Sequence, residues 1–155
     1  MSKLYKNILV PLDGSELAET ALADAIELAK LNQAKVILFQ VVDQPDQVLY
    51  PNTGHPIYLD QQWANQRIET LKYLNEVRQR LANGSVTVEA AVEMGLVAEK
   101  IIDYARRHEI DLIVMATHGR SGLSRWVYGS VADKVLRGAE APVLLVRVHP
   151  EKEMA

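Results

Sequence analysis

Glycines and small polar residues directly after an apolar run form the most chemically suggestive stretch of this sequence. The run from Ile113 to Ala116 leads into Gly119 and Gly122, and Gly129-Ser130 then opens a helical pattern. Glycine lets a backbone approach an anion closely, and a helix start offers unpaired N–H groups and the positive end of a dipole. This combination predicts a cradle for phosphate groups, which makes nucleotide binding the leading hypothesis.

A second short motif, Asp13-Gly14-Ser15, follows the first apolar run of the chain. Taken alone, it is typical of a turn in which Ser15 caps a helix, with Glu16 and Glu19 in the first helical turn. Beside the glycine-rich loop, the Asp13 carboxylate is also a candidate ligand contact.

Other sequence patterns of catalysis are absent. The chain has neither a GxxxxGK[ST] phosphate loop, nor a GxGxxG dinucleotide pattern, nor a GxSxG nucleophile elbow. The four histidines lack the HExxH spacing of a metal site, and there are no cysteines. The sequence therefore leaves open whether the chain is an enzyme. It favours a protein without dedicated catalysis, with slow nucleotide hydrolysis as the enzymatic alternative.

Size and charge narrow the classes of partner. The chain has 155 residues and a net charge of -3, which argues against general binding to nucleic acid or anionic membranes. No apolar run approaches the roughly 20 residues that cross a bilayer, and the N-terminus lacks the core of a signal peptide. We expect one domain over residues 1–150, a short tail over 151–155 and a cytoplasmic location.

Apolar runs alternate with helical patterns along the whole chain, which predicts a parallel sheet with helices on both faces. The expected strands cover residues 7–12, 35–42, 86–92, 111–116 and 142–148. The expected helices cover residues 15–29, 64–81, 98–105 and 130–137, and residues 43–59 are expected to form a long loop. The predicted fold is an α/β, Rossmann-like open sheet of five strands in the order 3-2-1-4-5.

This strand order predicts where a ligand binds. In open α/β sheets, ligands lie outside the carboxyl ends of the strands, where the strand order reverses. Here that crevice falls between the first and fourth strands. The sequence lines it with Pro11, Leu12 and Asp13 on one side and residues 116–120 on the other.

The spacing of the glycine-rich loop resembles that of the universal stress protein superfamily. Its nucleotide-binding members carry Gly-x2-Gly-x9-Gly-[Ser/Thr], and this chain has Ala116, Gly119, Gly129 and Ser130 at those positions. The resemblance covers almost the whole chain, including the opening NILVPLDGS and the closing PVLLVRV. One position departs from the pattern, because Ala116 stands where the family has its first glycine.

The resemblance implies that the chain binds an adenine nucleotide, ATP, together with Mg²⁺. Asp13 would contact the ribose or reach the cation, and Val41 would bind the adenine edge through its backbone. The remaining residues implied to contact the base and ribose are Pro11, Leu12, Met115 and Ala116, and those implied to contact phosphates are Gly119, Gly129, Ser130 and Val131. His118 and Arg120 lie in the same loop, and each either touches phosphate or faces solvent.

The last strand, Pro142 to Val148, predicts an exposed sheet edge, and antiparallel pairing with its own copy would cover that edge in a homodimer. The resulting hypothesis is an ATP-binding, dimeric signalling or stress-response module. The alternative is a nucleotide-free dimeric interaction protein of the same fold, in which Ala116 has disrupted the pocket.

Overall fold

The computed structural model describes residues 4–43, 57–82, 84–117 and 129–148. The strands are β1 (Asn7–Leu12), β2 (Lys35–Asp43), β3 (Val88–Gly95), β4 (Leu112–Thr117) and β5 (Val143–Arg147). The helices are α1 (Glu16–Glu19), α2 (Leu22–Asn32), α3 (Ile57–Leu81), α4 (Val97–Arg107) and α5 (Ser130–Gly138). The candidates His118, Gly119 and Arg120 lie outside the described residues, as does the expected tail.

The five strands form one parallel sheet in the order β3-β2-β1-β4-β5, which confirms the predicted topology. Buried residues of β1 and β2 pack against α2 and α3 on one face of the sheet. Successive side chains of a strand point to opposite faces, and the intervening strand residues, among them Leu9, Phe39 and Met115, pack against α4 and α5 on the other face. Helices therefore cover both faces, as expected for a parallel sheet.

The pairing of β1 differs on its two sides. Its register with β2 runs through six pairs, from Asn7↔Lys35 to Leu12↔Gln40, whereas its register with β4 contains only Ile8↔Leu112 and Leu9↔Ile113. The two central strands thus pair near their amino ends and separate toward their carboxyl ends.

Pro11 gives a physical reason for this separation. The Asn7 carbonyl accepts the Asp111 N–H at 2.9 Å, so the backbone of Asn7 faces β4. Backbone direction alternates along a strand, and Pro11 therefore faces β4 as well. Because proline has no N–H, β1 lacks a donor to β4 at that point.

The predicted first helix is divided into α1 and α2. Thr20 and Ala21 donate their N–H groups to Leu17 and Ala18 carbonyls three residues back, at 3.1 and 3.3 Å, which tightens the chain between the two helices. The Thr20 hydroxyl also donates to the Leu17 carbonyl at 2.6 Å. A regular helical bond resumes when Ala25 donates to Ala21.

Helix α3 begins at Ile57, so the prediction that the loop reaches residue 59 is wrong. The helix therefore begins seven residues before the predicted start at residue 64, and most described side chains between Gln61 and Thr70 are exposed. Strand β3 is also shifted, since it starts at Val88 and continues to Gly95. Within the described ranges, no helix is long and apolar enough to cross a membrane.

Candidate functional site

A cleft of about 600 Å³ lies at the carboxyl edge of the sheet, where β1 and β4 separate. The structure brings seven of the predicted site residues together on its wall: Pro11, Leu12, Asp13, Val41, Met115, Ala116 and Val131. Their positions agree with the rule that ligand crevices form where strand order reverses.

The floor of this cleft is apolar and rigidly packed. Phe39 and Ile101 are almost completely buried, and Val41, Met115 and Ala132 retain less than a tenth of their exposure. Such a surface suits a flat, weakly polar group such as a nucleobase, which gains by leaving water. The cleft therefore separates an apolar interior from a polar entrance.

Several wall residues escaped the sequence prediction. Phe39 precedes Val41 by two positions on β2, so the alternation of a strand places both on the same face. Val97 and Ile101 are four residues apart on α4 and share one side of that helix. These periodicities are readable in the sequence, but only the fold shows which face borders the cleft. Leu17, Ala18 and Ala132 complete the set that the prediction missed.

The carbonyl of Val41 is available to a ligand because β2 extends beyond β1. Lys35 donates its N–H to the Lys6 carbonyl, so odd-numbered residues of β2 turn their backbone groups toward β1. The register with β1 ends at Leu12↔Gln40, and Val41 lies one position further along. In this parallel ladder the pair Leu12↔Gln40 is formed by bonds from Leu12 to the residues on either side of Gln40, so the Val41 N–H is used by the sheet. The Val41 carbonyl lies beyond the register and faces the cleft side without a partner on β1.

Asp13 stands at the entrance and also shapes the turn behind it. Its Oδ1 accepts the Ser15 N–H at 2.9 Å and the Ser15 hydroxyl at 2.5 Å. The Ser15 oxygen in turn accepts the Ala18 N–H at 3.1 Å, which confirms Ser15 as the cap of α1. Gly14 has φ +86°, a conformation that favours glycine. Among the described residues, Asp13 Oδ2 has no partner and is available to a ligand.

The start of α5 forms another side of the entrance. Gly129 caps the helix, Ser130 is its exposed first residue, and Val131 lies on the cleft wall. The first helical bond in α5 runs from the Asp133 N–H to the Gly129 carbonyl at 2.9 Å. The amides before Asp133 therefore have no acceptor within the helix, as at every helix start. Gly129 has φ -54°, so its backbone torsion does not itself require glycine.

A wider cleft of about 990 Å³ adjoins the first and shares Asp13, Val41, Val97 and Val131 with it. Its wall carries three carboxylates, from Asp13, Asp43 and Glu69, and no lysine or arginine among the described lining residues. Negative potential on this side disfavours phosphate and favours a cation. No cluster of three or more potential metal ligands occurs in the described part of the chain.

The predicted metal site therefore has one candidate protein ligand, the Asp13 carboxylate. Asp13 lacks the further protein ligands of a dedicated metal site, but Mg²⁺ commonly takes one or two carboxylates together with substrate phosphates and water. The free Oδ2 of Asp13 fits that pattern.

Comparison with known proteins identifies relatives over nearly the full length of the chain. The sequence profile of the Universal stress protein family matches residues 4–147. A universal stress protein of Methanocaldococcus jannaschii is 35% identical over 150 residues, covering 97% of this chain and 86% of the relative. The universal stress protein YxiE of Bacillus subtilis is 30% identical over 149 residues, covering 93% of this chain and 100% of the relative.

Solved structures share the same fold. Universal stress protein UspA from Lactobacillus plantarum is 28% identical and superimposes with a TM-score of 0.77, with 94% of this chain and 100% of that chain covered. A universal stress protein solved in complex with cAMP is 24% identical, with a TM-score of 0.66 and coverage of 95% and 100%. This second likeness concerns the fold alone. Sequence and structure together show that the chain belongs to the Universal stress protein family.

Proposed function

We propose that this protein binds an adenine nucleotide, ATP with Mg²⁺, in the cleft between β1 and β4. The observation that carries the proposal is one cleft with an apolar floor, bordered by the Val41 carbonyl beyond the β1 register and by the first turn of α5. An adenine ring needs an apolar slot and an edge of hydrogen-bonding groups, and phosphates need oriented N–H donors. The described walls offer each of these.

Each end of the nucleotide has a matching surface. The base would lie against Leu12 and Met115, with its polar edge toward the Val41 backbone. The ribose would lie near Ala116 and Asp13, and the phosphates would extend toward the amides of Ser130 and Val131. Gly129, at the α5 cap, would let the phosphates approach the backbone. Pro11 completes the slot, and His118, Gly119 and Arg120 remain candidates from the loop before α5.

The charge of the entrance supports a role for Mg²⁺. ATP is strongly anionic, and the carboxylates of Asp13, Asp43 and Glu69 would repel it without a counter-ion. Mg²⁺ bound to the phosphates lowers that repulsion and accepts Asp13 as a ligand, directly or through water. The proposed ligand is therefore the magnesium complex of ATP rather than free ATP.

The relatives supply context for this proposal. A protein of the same fold is known in complex with cAMP, which is an adenine nucleotide. The chain carries none of the paired base and nucleophile patterns of a dedicated phosphoryl-transfer enzyme. We therefore propose a regulatory module in a cytoplasmic stress response, over a single domain of residues 1–150, in which nucleotide occupancy changes the surface offered to partners.

We also propose that the protein is a homodimer through β5. This strand is the edge of the sheet beside β4, and its Leu144 side chain is 38% exposed. An edge strand presents unpaired N–H and carbonyl groups, and pairing with a second copy would satisfy them. Light scattering should give twice the chain mass of 17.3 kDa. A mass of one chain at micromolar concentration would contradict the dimer.

A nucleotide-free interaction protein of the same fold is the second candidate. It is favoured by Ala116, whose methyl group lies on the cleft wall where nucleotide-binding relatives are expected to have glycine. In that case the cleft would only shape a surface.

The two candidates are separated by measuring nucleotide directly. The freshly purified protein is denatured and its supernatant is analysed for adenine nucleotides, and the nucleotide-free protein is titrated with ATP in Mg²⁺ or in EDTA by calorimetry. We expect saturable binding that is stronger with Mg²⁺. Saturating ATP at about 100 times its Kd should also add about 2.7 kcal/mol to stability. If the protein retains no nucleotide and the titration gives no measurable heat, ATP binding is rejected.

A further inference from the structure

Helix α1 is a short wall of the cleft that packs against β1 and β4. It has four residues, none of them buried, yet Leu17 and Ala18 line the cleft. Its cap, Ser15, is bonded to Asp13 at the cleft entrance. A helix of one turn is not stable by itself, because the cost of nucleation exceeds its few internal bonds. Its position must therefore come from contacts with other elements.

Besides the packing of α1 against β1 and β4, two side-chain hydrogen bonds to Glu19 join α1 to α3. The Oε2 of Glu19 accepts the hydroxyl hydrogen of Tyr73 at 2.8 Å, and its Oε1 accepts a guanidinium N–H of Arg80 at 2.6 Å. The Glu19 side chain is only 18% exposed, whereas that of Arg80 is 63% exposed. An ion pair with an exposed arginine contributes little in water, so the less exposed bond from Tyr73 is the more important of the two.

The surroundings of Tyr73 connect this contact to the cleft. Partial burial, followed by the hydrogen bond to Glu19, raises the pKa of the Tyr73 hydroxyl well above its usual range, and the Asp13 carboxylate contributes in the same direction. Tyr73 therefore stays protonated, and remains a donor, at any physiological pH.

We propose that Tyr73 and Glu19 are positioning residues for the nucleotide site: their hydrogen bond holds α1 against α3 and thereby keeps Leu17, Ala18 and the Asp13 turn in a binding geometry. The effect on binding rests on the proposed nucleotide function, whereas the effect on α1 does not. Without the bond, only a fraction of molecules keeps α1 in place, and the apparent affinity falls by that fraction.

The sign of the effect separates this role from simple electrostatics. Removing the Glu19 charge lowers the negative potential near the cleft, so a purely electrostatic role predicts tighter ATP binding in Glu19→Gln. Loss of positioning predicts weaker binding. Tyr73→Phe is the cleaner probe, because it removes the hydroxyl with no change in formal charge.

The test measures two properties in the wild type and in Tyr73→Phe. The first is the hydrogen exchange of residues 16–21 in the absence of nucleotide, and the second is the affinity for ATP-Mg²⁺ and for uncharged adenosine. Glu19→Gln is measured in parallel, and Glu93→Gln is its matched control, since the Glu93 side chain is 22% exposed and accepts Arg107 at 2.9 and 2.8 Å but does not line either cleft. In Tyr73→Phe we expect faster exchange in α1 and affinity for both ligands about three- to tenfold weaker. Glu93→Gln should show neither change.

The outcomes distinguish this inference from the function on which it rests. A wild type that binds neither ligand rejects the nucleotide site, and the exchange of α1 then still decides whether the Tyr73 bond holds that helix. Unchanged exchange in a folded Tyr73→Phe overturns the inference. Faster exchange with unchanged affinity for both ligands also overturns it, because α1 would then be held by the bond without mattering to binding.

Discussion

The two ends of the β1–β4 pair each carry an aspartate, and the two aspartates have different roles. At the amino end, Asp111 Oδ2 accepts the N–H groups of Lys6 and Asn7 at 2.7 and 2.8 Å and joins the strands. At the carboxyl end, the strands separate after Leu9↔Ile113, and Asp13 stands over a cleft with Oδ2 free among the described residues. A carboxylate that closes one end of the pair thus contrasts with one left available at the other.

This difference teaches that the role of an acidic residue depends on how many backbone donors it must satisfy. Asp111 holds segments more than a hundred residues apart in the chain. Among the described residues, Asp13 bonds only to Ser15, two residues away, so we expect its removal to disturb the local turn alone. Stability should therefore depend on the amino end of the pair, and ligand binding on the carboxyl end.

Asp111→Ala should produce the largest change in stability. Two backbone N–H groups lose a charged acceptor, and we expect the free energy of unfolding to fall by about 2–3 kcal/mol. Urea unfolding measures this change. Asp111→Asn, which keeps one acceptor oxygen, should lose less, and neither variant should alter ATP affinity once folded. An unchanged urea midpoint in Asp111→Ala would contradict the claim that Asp111 stabilises the amino end of the β1–β4 pair.

Asp13→Asn should change binding with little change in stability. The amide oxygen can still accept the Ser15 N–H, so we expect the free energy of unfolding to change by less than about 1 kcal/mol. Calorimetry should show ATP affinity about tenfold weaker in Mg²⁺, because the cation loses a ligand. In EDTA the affinity should rise, because a negative charge is gone. The same sign in both buffers would argue against a role of Asp13 toward the cation.

Ala116→Gly should have smaller effects, which differ in sign: we expect lower stability and stronger ATP binding. Glycine in a strand costs about 0.5–1 kcal/mol of stability relative to alanine. If the methyl group crowds the ribose, its removal should strengthen ATP binding by about threefold, equivalent to about 0.6 kcal/mol. Parallel melting curves and titrations measure both effects. Weaker binding in Ala116→Gly would show that the methyl group is a favourable part of the wall.

The pH dependence of stability above pH 10 should show the smallest effect, and it tests the role of the Tyr73 hydroxyl near the carboxyl end of the pair. The pKa of Tyr73 is raised in the folded state, so its contribution is fully present below the unfolded pKa near 10. This contribution is lost as the pH rises above that value, because the unfolded chain then releases the proton while the folded chain retains it. The stability of Tyr73→Phe should thus fall less steeply above pH 10 than that of the wild type. Equal slopes would contradict the assigned role of the hydroxyl.

Much of this architecture could be predicted from the sequence because it depends on hydrophobic periodicity. The central strands are apolar runs bounded by turns, and their alternation with helices specifies the parallel sheet and its order. The start of α3 was predicted seven residues too late, at residue 64, because the prolines and the glycine before it indicated a loop up to residue 59. The boundary errors in β3 have a different origin, since its half-buried residues alternate weakly.

The candidate site could be predicted only in part. Asp13 and the start of α5 carry recognisable turn and cap chemistry, and Asp13 and Val131 lie on the wall of one cleft, whereas Gly129 and Ser130 are not among the residues that line it. The role of the Val41 backbone depends on the register of β2 beyond β1, which no local pattern encodes. The Glu19–Tyr73 contact joins residues 54 positions apart and leaves no signal in a single sequence.

Amide NMR during a titration with ATP-Mg²⁺ tests the central claim most directly, because it reports on both ends of the β1–β4 pair in one experiment. We predict saturable shifts for Asp13, Val41, Ala116 and Val131, and none for Lys6, Asn7 and Asp111. Shifts confined to the amino end, or no saturable shifts at the four cleft residues, would contradict the claim that this cleft binds an adenine nucleotide.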